Sequence, residues 1–131
     1  MSVKIGKKSV MNVFGAIALF SANAISAPGF VIETTVVGTL QDATLFGGCM
    51  ARLSTNVEAL GMACGADPLV SFDCLGKIGS KNAGNGNFSA AQLAYVTGNK
   101  LNIYVDDSDA KKNLLNGFCY SGRIDLLAPG S

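Results

Sequence analysis

The sequence predicts a mainly β domain with one short helix, its elements in the order β-β-β-α-β-β and its strands forming a small five-stranded barrel. Three observations carry this. Five stretches rich in β-branched and aromatic residues are set apart by glycine- and asparagine-rich segments. One stretch alone carries a full set of helix boundary signals. Four cysteines in 131 residues supply the cross-links that a small exported domain commonly needs.

The first strand is read at residues 30–40, FVIETTVVGTL, with Phe30, Ile32, Thr34 and Val36 on one face and Gly38 as a bulge or bend. Residues 41–48 read as a turn and 49–54, CMARLS, as the second strand. An irregular excursion follows over 55–68, through Gly61, Gly65 and Pro68, with Cys64 as its anchor. Residues 69–75, LVSFDCL, make the third strand, with Val70, Phe72 and Cys74 on one side. The run GSKNAGNGN at 79–87 reads as a flexible polar loop. Its glycines match neither phosphate-binding spacing, neither G-x-x-x-x-G-K-[ST] nor G-x-G-x-x-G.

The helix is placed over 88–98. Ser89 and Gln92 form a capping box, Phe88 and Leu93 a hydrophobic staple, and Gly98 the stop. Ala90, Leu93, Ala94 and Thr97 would share its packed face. The fourth strand, 100–106 (KLNIYVD), alternates cleanly: Leu101, Ile103 and Val105 point one way, and Asn102, Tyr104 and Asp106 the other. Residues 118–127, FCYSGRIDLL, close the set as the fifth strand. Three strands, a helix and two strands is the element order of the oligonucleotide/oligosaccharide-binding (OB) fold. A two-sheet sandwich fits five strands and one helix less well.

The N-terminus reads as a secretory leader. Lys4, Lys7 and Lys8 precede an apolar run over 10–20, no acid occurs before Glu33, and small residues follow at 21–24. The run is short for a permanent membrane anchor. Cleavage after Ala24 leaves one domain at residues 25–131; a cut after Ala27 would leave Pro28 next in line. Removing residues 1–24 leaves seven basic residues against nine acids, a net charge of −2. That balance, with no Lys/Arg stripe, argues against nucleic acid as a partner, and the domain is expected to be free of the membrane once cleaved.

In an exported chain, Cys49, Cys64, Cys74 and Cys119 imply two disulfides. A zinc site is the rival reading, but the chain has no C-x-x-C and no histidine. Of the three connectivities, Cys49–Cys64 with Cys74–Cys119 is favoured, a short local loop plus a tie from the centre of the chain to its last strand.

Without histidine, Ser-His-Asp and Cys-His catalysis are excluded. Asp106, Asp107 and Asp109 are the one close acid group. Neighbouring acids in a turn do not face each other across a substrate, as glycoside hydrolysis requires. A calcium loop would need more oxygens where Lys111 and Lys112 stand. The stretch YVDDSDAKKN is therefore read as a solvated turn, and the domain as non-enzymatic, with no cofactor and no metal. The outward residues Asn102, Tyr104 and Asp106 are the candidate ligand face.

The run AQLAYVTGNKLNIYVDD, with the later NGFCYSGRIDLL, resembles the subtilase cytotoxin B subunit-like group of small exported bacterial proteins. The resemblance covers roughly the C-terminal half. It implies an OB-type barrel, and in toxin members a ring of five that binds cell-surface glycans. The sugar-contacting tyrosine of the toxin falls at Val105, beside Tyr104, and its serine near Pro28; tryptophan is absent. The expected function is a small exported protein that binds a glycan or protein ligand through the barrel. A structural or homo-oligomeric protein of the periplasm or cell surface is the alternative, and a toxin B subunit a further one.

Overall fold

A computed structural model describes residues 30–65 and 67–130. The leader read at 1–24, its cleavage site and the start of the domain at 25 lie outside the described residues. The rest is mainly β: β1 (Phe30–Thr34), β2 (Val36–Gln41), β3 (Cys49–Leu53), β4 (Leu69–Ser71), β5 (Leu101–Asp106) and β6 (Cys119–Leu126). Two helices accompany them, α1 (Lys81–Thr97) and α2 (Asp109–Lys112). The strands form one mixed sheet of six in the order β1-β5-β6-β4-β3-β2. All ladders are antiparallel except β4 with β6.

The expected first strand is two strands, which is why the sheet has six and not five. Its inward alternation survives the break: Ile32, Thr34 and Val36 are all buried. Thr35 is where the pairing changes partner, from β5 on one side to β3 on the other. A knot of hydroxyls holds that break. The Thr35 amide donates to Ser54 Oγ at 3.2 Å, Thr35 Oγ1 donates to the same oxygen at 2.9 Å, and Thr55 Oγ1 donates to Thr34 Oγ1 at 2.9 Å. The predicted irregularity near Gly38 is present as a register shift between Val36 and Gly38.

The helix is longer than expected, 17 residues, and begins where a polar loop was predicted. Ser80, not Ser89, is the N-cap and accepts from the Ala83 amide at 3.0 Å. Ser89 is an exposed residue inside the helix. The glycines of GSKNAGNGN misled because glycine weakens an isolated helix by about 1 kcal/mol, whereas here one of them is required by packing. Gly84 is buried, and a Cβ there would lie 2.6 Å from the Phe72 carbonyl oxygen and closer still to that of Asp73. The buried face is Gly84, Phe88, Ala91 and Ala94, and the staple residue Leu93 is 52% exposed. Phe88 packs on Phe72 with ring centroids 6.3 Å apart. Gly98 ends the helix at φ 73°, as predicted.

Both expected disulfide pairs are overturned: Cys49 bonds Cys74, and Cys64 bonds Cys119. The reason lies in the sheet. Cys49 opens β3 and its carbonyl accepts from the Phe72 amide at 3.2 Å, which brings the end of the β4 stretch beside it. That leaves Cys64 to reach the first residue of β6. The closed loops span 25 and 55 residues, which stabilise the domain by about 3.5 and about 4 kcal/mol on a chain-entropy basis.

The third predicted strand is also shorter than read. Its pairing stops at Ser71, and both faces of the stretch are buried: Val70 and Phe72 on one, Ser71 and Asp73 on the other. Asp73 is 1% exposed, with φ 62°. Its carboxylate accepts from the amides of Lys77, Ile78 and Gly79 at 2.8, 2.6 and 3.0 Å. A buried carboxylate is tolerable only with such donors. Two disulfides suit an oxidising compartment, and among the described residues no helix is long and apolar enough to cross a membrane.

Candidate functional site

β5 carries the site because its alternation is strict. Leu101, Ile103 and Val105 are fully buried, and Asn102, Tyr104 and Asp106 are half-buried on the other face. On one side Tyr104 faces Val31 of β1, on the other Arg123 of β6. Beyond it the β5–β6 register slips: Tyr104 pairs with Arg123, but Asp106 pairs with Tyr120. Two steps along β5 thus answer three along β6, a β-bulge around Ser121 and Gly122. The Ser121 hydroxyl donates to the Arg123 carbonyl at 3.0 Å and fastens it.

The bulge has a chemical consequence. In a regular strand, Tyr120 and Arg123 would point to opposite faces. With the extra residue, both join Tyr104 and Asp106 on the outer face, while Cys119 and Ser121 stay buried. A pocket of about 250 Å³ opens between them, lined by Tyr104, Val105, Asp106, Lys111, Tyr120, Gly122 and Arg123. Gly122 leaves room there for the Tyr120 side chain: a Cβ would stand 3.0 Å from its hydroxyl and 3.3 Å from its ring, a tight approach.

Each tyrosine ring is paired with a cation, and each cation with an acid. The Arg123 guanidinium lies 4.6 Å from the Tyr104 ring centroid, and its Nε and Nη2 donate to Asp125 at 2.9 and 3.1 Å. The Lys111 ammonium lies 5.4 Å from the Tyr120 centroid and donates to Asp106 Oδ2 at 2.6 Å. Burial pushes the Asp106 carboxyl upward, but the Lys111 ammonium and the Ser108 amide, at 2.9 Å, outweigh it and hold the group below the usual aspartate range. Burial, followed by the Asp73 charge, raises the Tyr120 phenol, so it is a neutral donor at ordinary pH. The hydrogen bonds and charge of Asp125 push the Arg123 guanidinium further up.

Of the predicted ligand residues, the structure brings Tyr104 and Asp106 into the pocket. Asn102 sits further along β5, opposite Glu33 and Asp125, and does not line it. Lys111, Tyr120 and Arg123 were missed. For Tyr120 and Arg123 the available signal was Gly122, a glycine inside a strand pattern, which marks a bulge and so a break in the alternation. The acidic turn holds ion pairs and amide contacts: Asp106 with Lys111, Asp109 with Lys112 at 3.3 Å, and Asp107 with the Ala63 amide at 3.2 Å. Among the described residues no group of three or more histidine, cysteine or acidic side chains is placed to hold a metal ion.

Two tyrosine rings, two fixed cations and one ionised carboxylate around an apolar hollow can bind a small polar ligand by stacking and hydrogen bonding. Comparison with protein-family models, curated proteins and solved structures returns no match.

Proposed function

We propose that this chain is an exported, non-enzymatic binding protein that takes a saccharide in the Tyr104–Tyr120 pocket of an OB-type barrel. The observation that carries the reading is the pocket itself: about 250 Å³, with two aromatic rings and polar groups already held in place. Its volume sits just below the usual range of small-molecule sites, about 300–1,000 Å³, which suits one sugar ring. Prior fixing of Arg123 by Asp125 and of Lys111 by Asp106 lowers the ordering cost of binding.

The barrel reading is supported by the strand order. β1 and β2 stand at the two ends of it, yet only Thr35 separates them in the chain. The parallel β4–β6 pair and the position of α1 between β4 and β5 fit the same topology. Export is supported by the basic and apolar leader and by the two disulfides. A glycan array probed with the protein and with Tyr104→Ala tests the function. Reproducible hits abolished by the substitution support it; an array without hits, or hits indifferent to Tyr104, overturns it.

Self-association is a second reading, favoured by the helix surface. Leu93 and Val96 on α1 are 52% and 74% exposed, one turn apart. Light scattering separates a monomer from a homo-oligomer, including the ring expected of a toxin B subunit.

A further inference from the structure

We propose that Ala63 is the positioning residue of the Tyr104–Tyr120 pocket, fixing through its two backbone groups the short turn that carries Lys111. This rests on the pocket being the ligand site. Ala63 does not line it and is itself exposed. Its N–H donates to Asp107 Oδ2 at 3.2 Å, and its carbonyl accepts from Lys112 Nζ at 2.7 Å. Asp107 and Lys112 flank the turn at 108–111, so one residue grips both of its ends. α2 has four residues, too few to hold its shape alone.

Ala63 can serve as an anchor because both its neighbours are buried, and one of them is cross-linked. Met62 and Cys64 are buried in the core. Cys64 is bonded to Cys119, and the next residue along is Tyr120. The constraints thus form a closed circuit. From Ala63 one path runs through the gripped turn to Lys111; the other runs through the disulfide to Tyr120, the ring that Lys111 stands over. The Lys111 side chain then reaches back to Asp106. The stretch that carries Ala63 is thereby part of the binding apparatus, setting the position of one pocket wall from outside it.

The test needs no ligand. Asp107→Ala with Lys112→Ala cuts both grips, keeps both disulfides and leaves the net charge unchanged. NMR titrations of the Asp106 carboxyl and the Tyr120 phenol are compared with those of the unsubstituted protein. Release of Lys111 removes the cation that favours both ionised forms, so both midpoints move to higher pH. Asp107→Asn with Lys112→Arg retains an acceptor oxygen and a cationic donor and restores them. Unmoved midpoints in the alanine variant, with Ile103 and Val105 methyl signals as in the native fold, overturn the proposal. If those signals are lost, Lys112→Ala alone is judged by the same criterion. A glycan array without hits refutes the ligand reading but leaves these titrations intact, so the two failures are told apart.

Discussion

Arg123 covers the ring of Tyr104 at 4.6 Å while Asp125 holds the same guanidinium by two hydrogen bonds. The stack is exposed, so it adds little to stability. Its value is geometric, because a guanidinium locked against a ring is a flat polar platform with a donor edge. Lysine cannot reproduce the planar fork.

On the proposed saccharide reading, Arg123→Lys is therefore expected to leave thermal stability nearly unchanged while weakening binding about thirtyfold in Kd. Calorimetric titration with whichever glycan the array identifies, run beside a thermal melt, measures both. Equal binding by the lysine variant would show that only charge is used at this position.

Two glycines in one helix should respond oppositely to alanine. At Gly84 a Cβ meets the carbonyls of Phe72 and Asp73, which are backbone and cannot swing aside. Gly84→Ala should cost about 1–3 kcal/mol despite the better helix propensity. At Gly86 nothing lies within 4 Å of an added Cβ, so Gly86→Ala should stabilise by up to about 1 kcal/mol. Denaturant titrations of the two variants would show midpoints moved in opposite directions.

That pair also explains what was legible in the sequence. Alternation in 100–106 named the core residues Leu101, Ile103 and Val105 and the outward face with Tyr104, because a strand with one buried face writes its period directly into the residue types. Gly98 likewise marked the end of α1. The start of the helix was hidden because its glycines read as a loop, although one of them, Gly84, answers to a neighbour, the Phe72–Asp73 backbone, and not to helix propensity. The disulfide pairing was hidden for a similar reason: sequence distance favours Cys49 with Cys64, but the approach of β3 to the β4 stretch is a tertiary fact. The bulge at Ser121 and Gly122 hid the shared face of Tyr120 and Arg123, because one extra residue reverses the face of everything after it.

Acid should expose the Asp106–Lys111 pair. The Asp106 carboxyl is held below its ordinary value of about 3.9. Above that value the native and unfolded chains both carry the ionised group, and the full contribution to stability is present. As pH falls through the lowered native value, the unfolded chain binds its proton first and the contribution is lost. Asp106→Asn should flatten the fall of stability with pH below about 4, measured by denaturant titration across that window. An unchanged slope would mean that the pair contributes no pH-dependent stability.

Asp73 should be the most sensitive acid in the chain, although it lies outside the pocket lining. Its carboxylate is the acceptor for three successive amides at 77–79, and the side chain is sealed from water. Alanine there would leave those donors without their partner and place an ordinary residue at φ 62°. Each donor to a charged group contributes about 1.5–3 kcal/mol, so Asp73→Ala is expected to cost at least about 3 kcal/mol. Asp73→Asn keeps one acceptor oxygen and a side chain that tolerates the left-handed region, and should lose less. The effect should reach the pocket as well, because the Asp73 charge helps to raise the Tyr120 phenol. In the folded asparagine variant that phenol should ionise at lower pH, read by ultraviolet titration. A Tyr120 midpoint that ignores the substitution would show that the buried carboxylate acts on the fold alone.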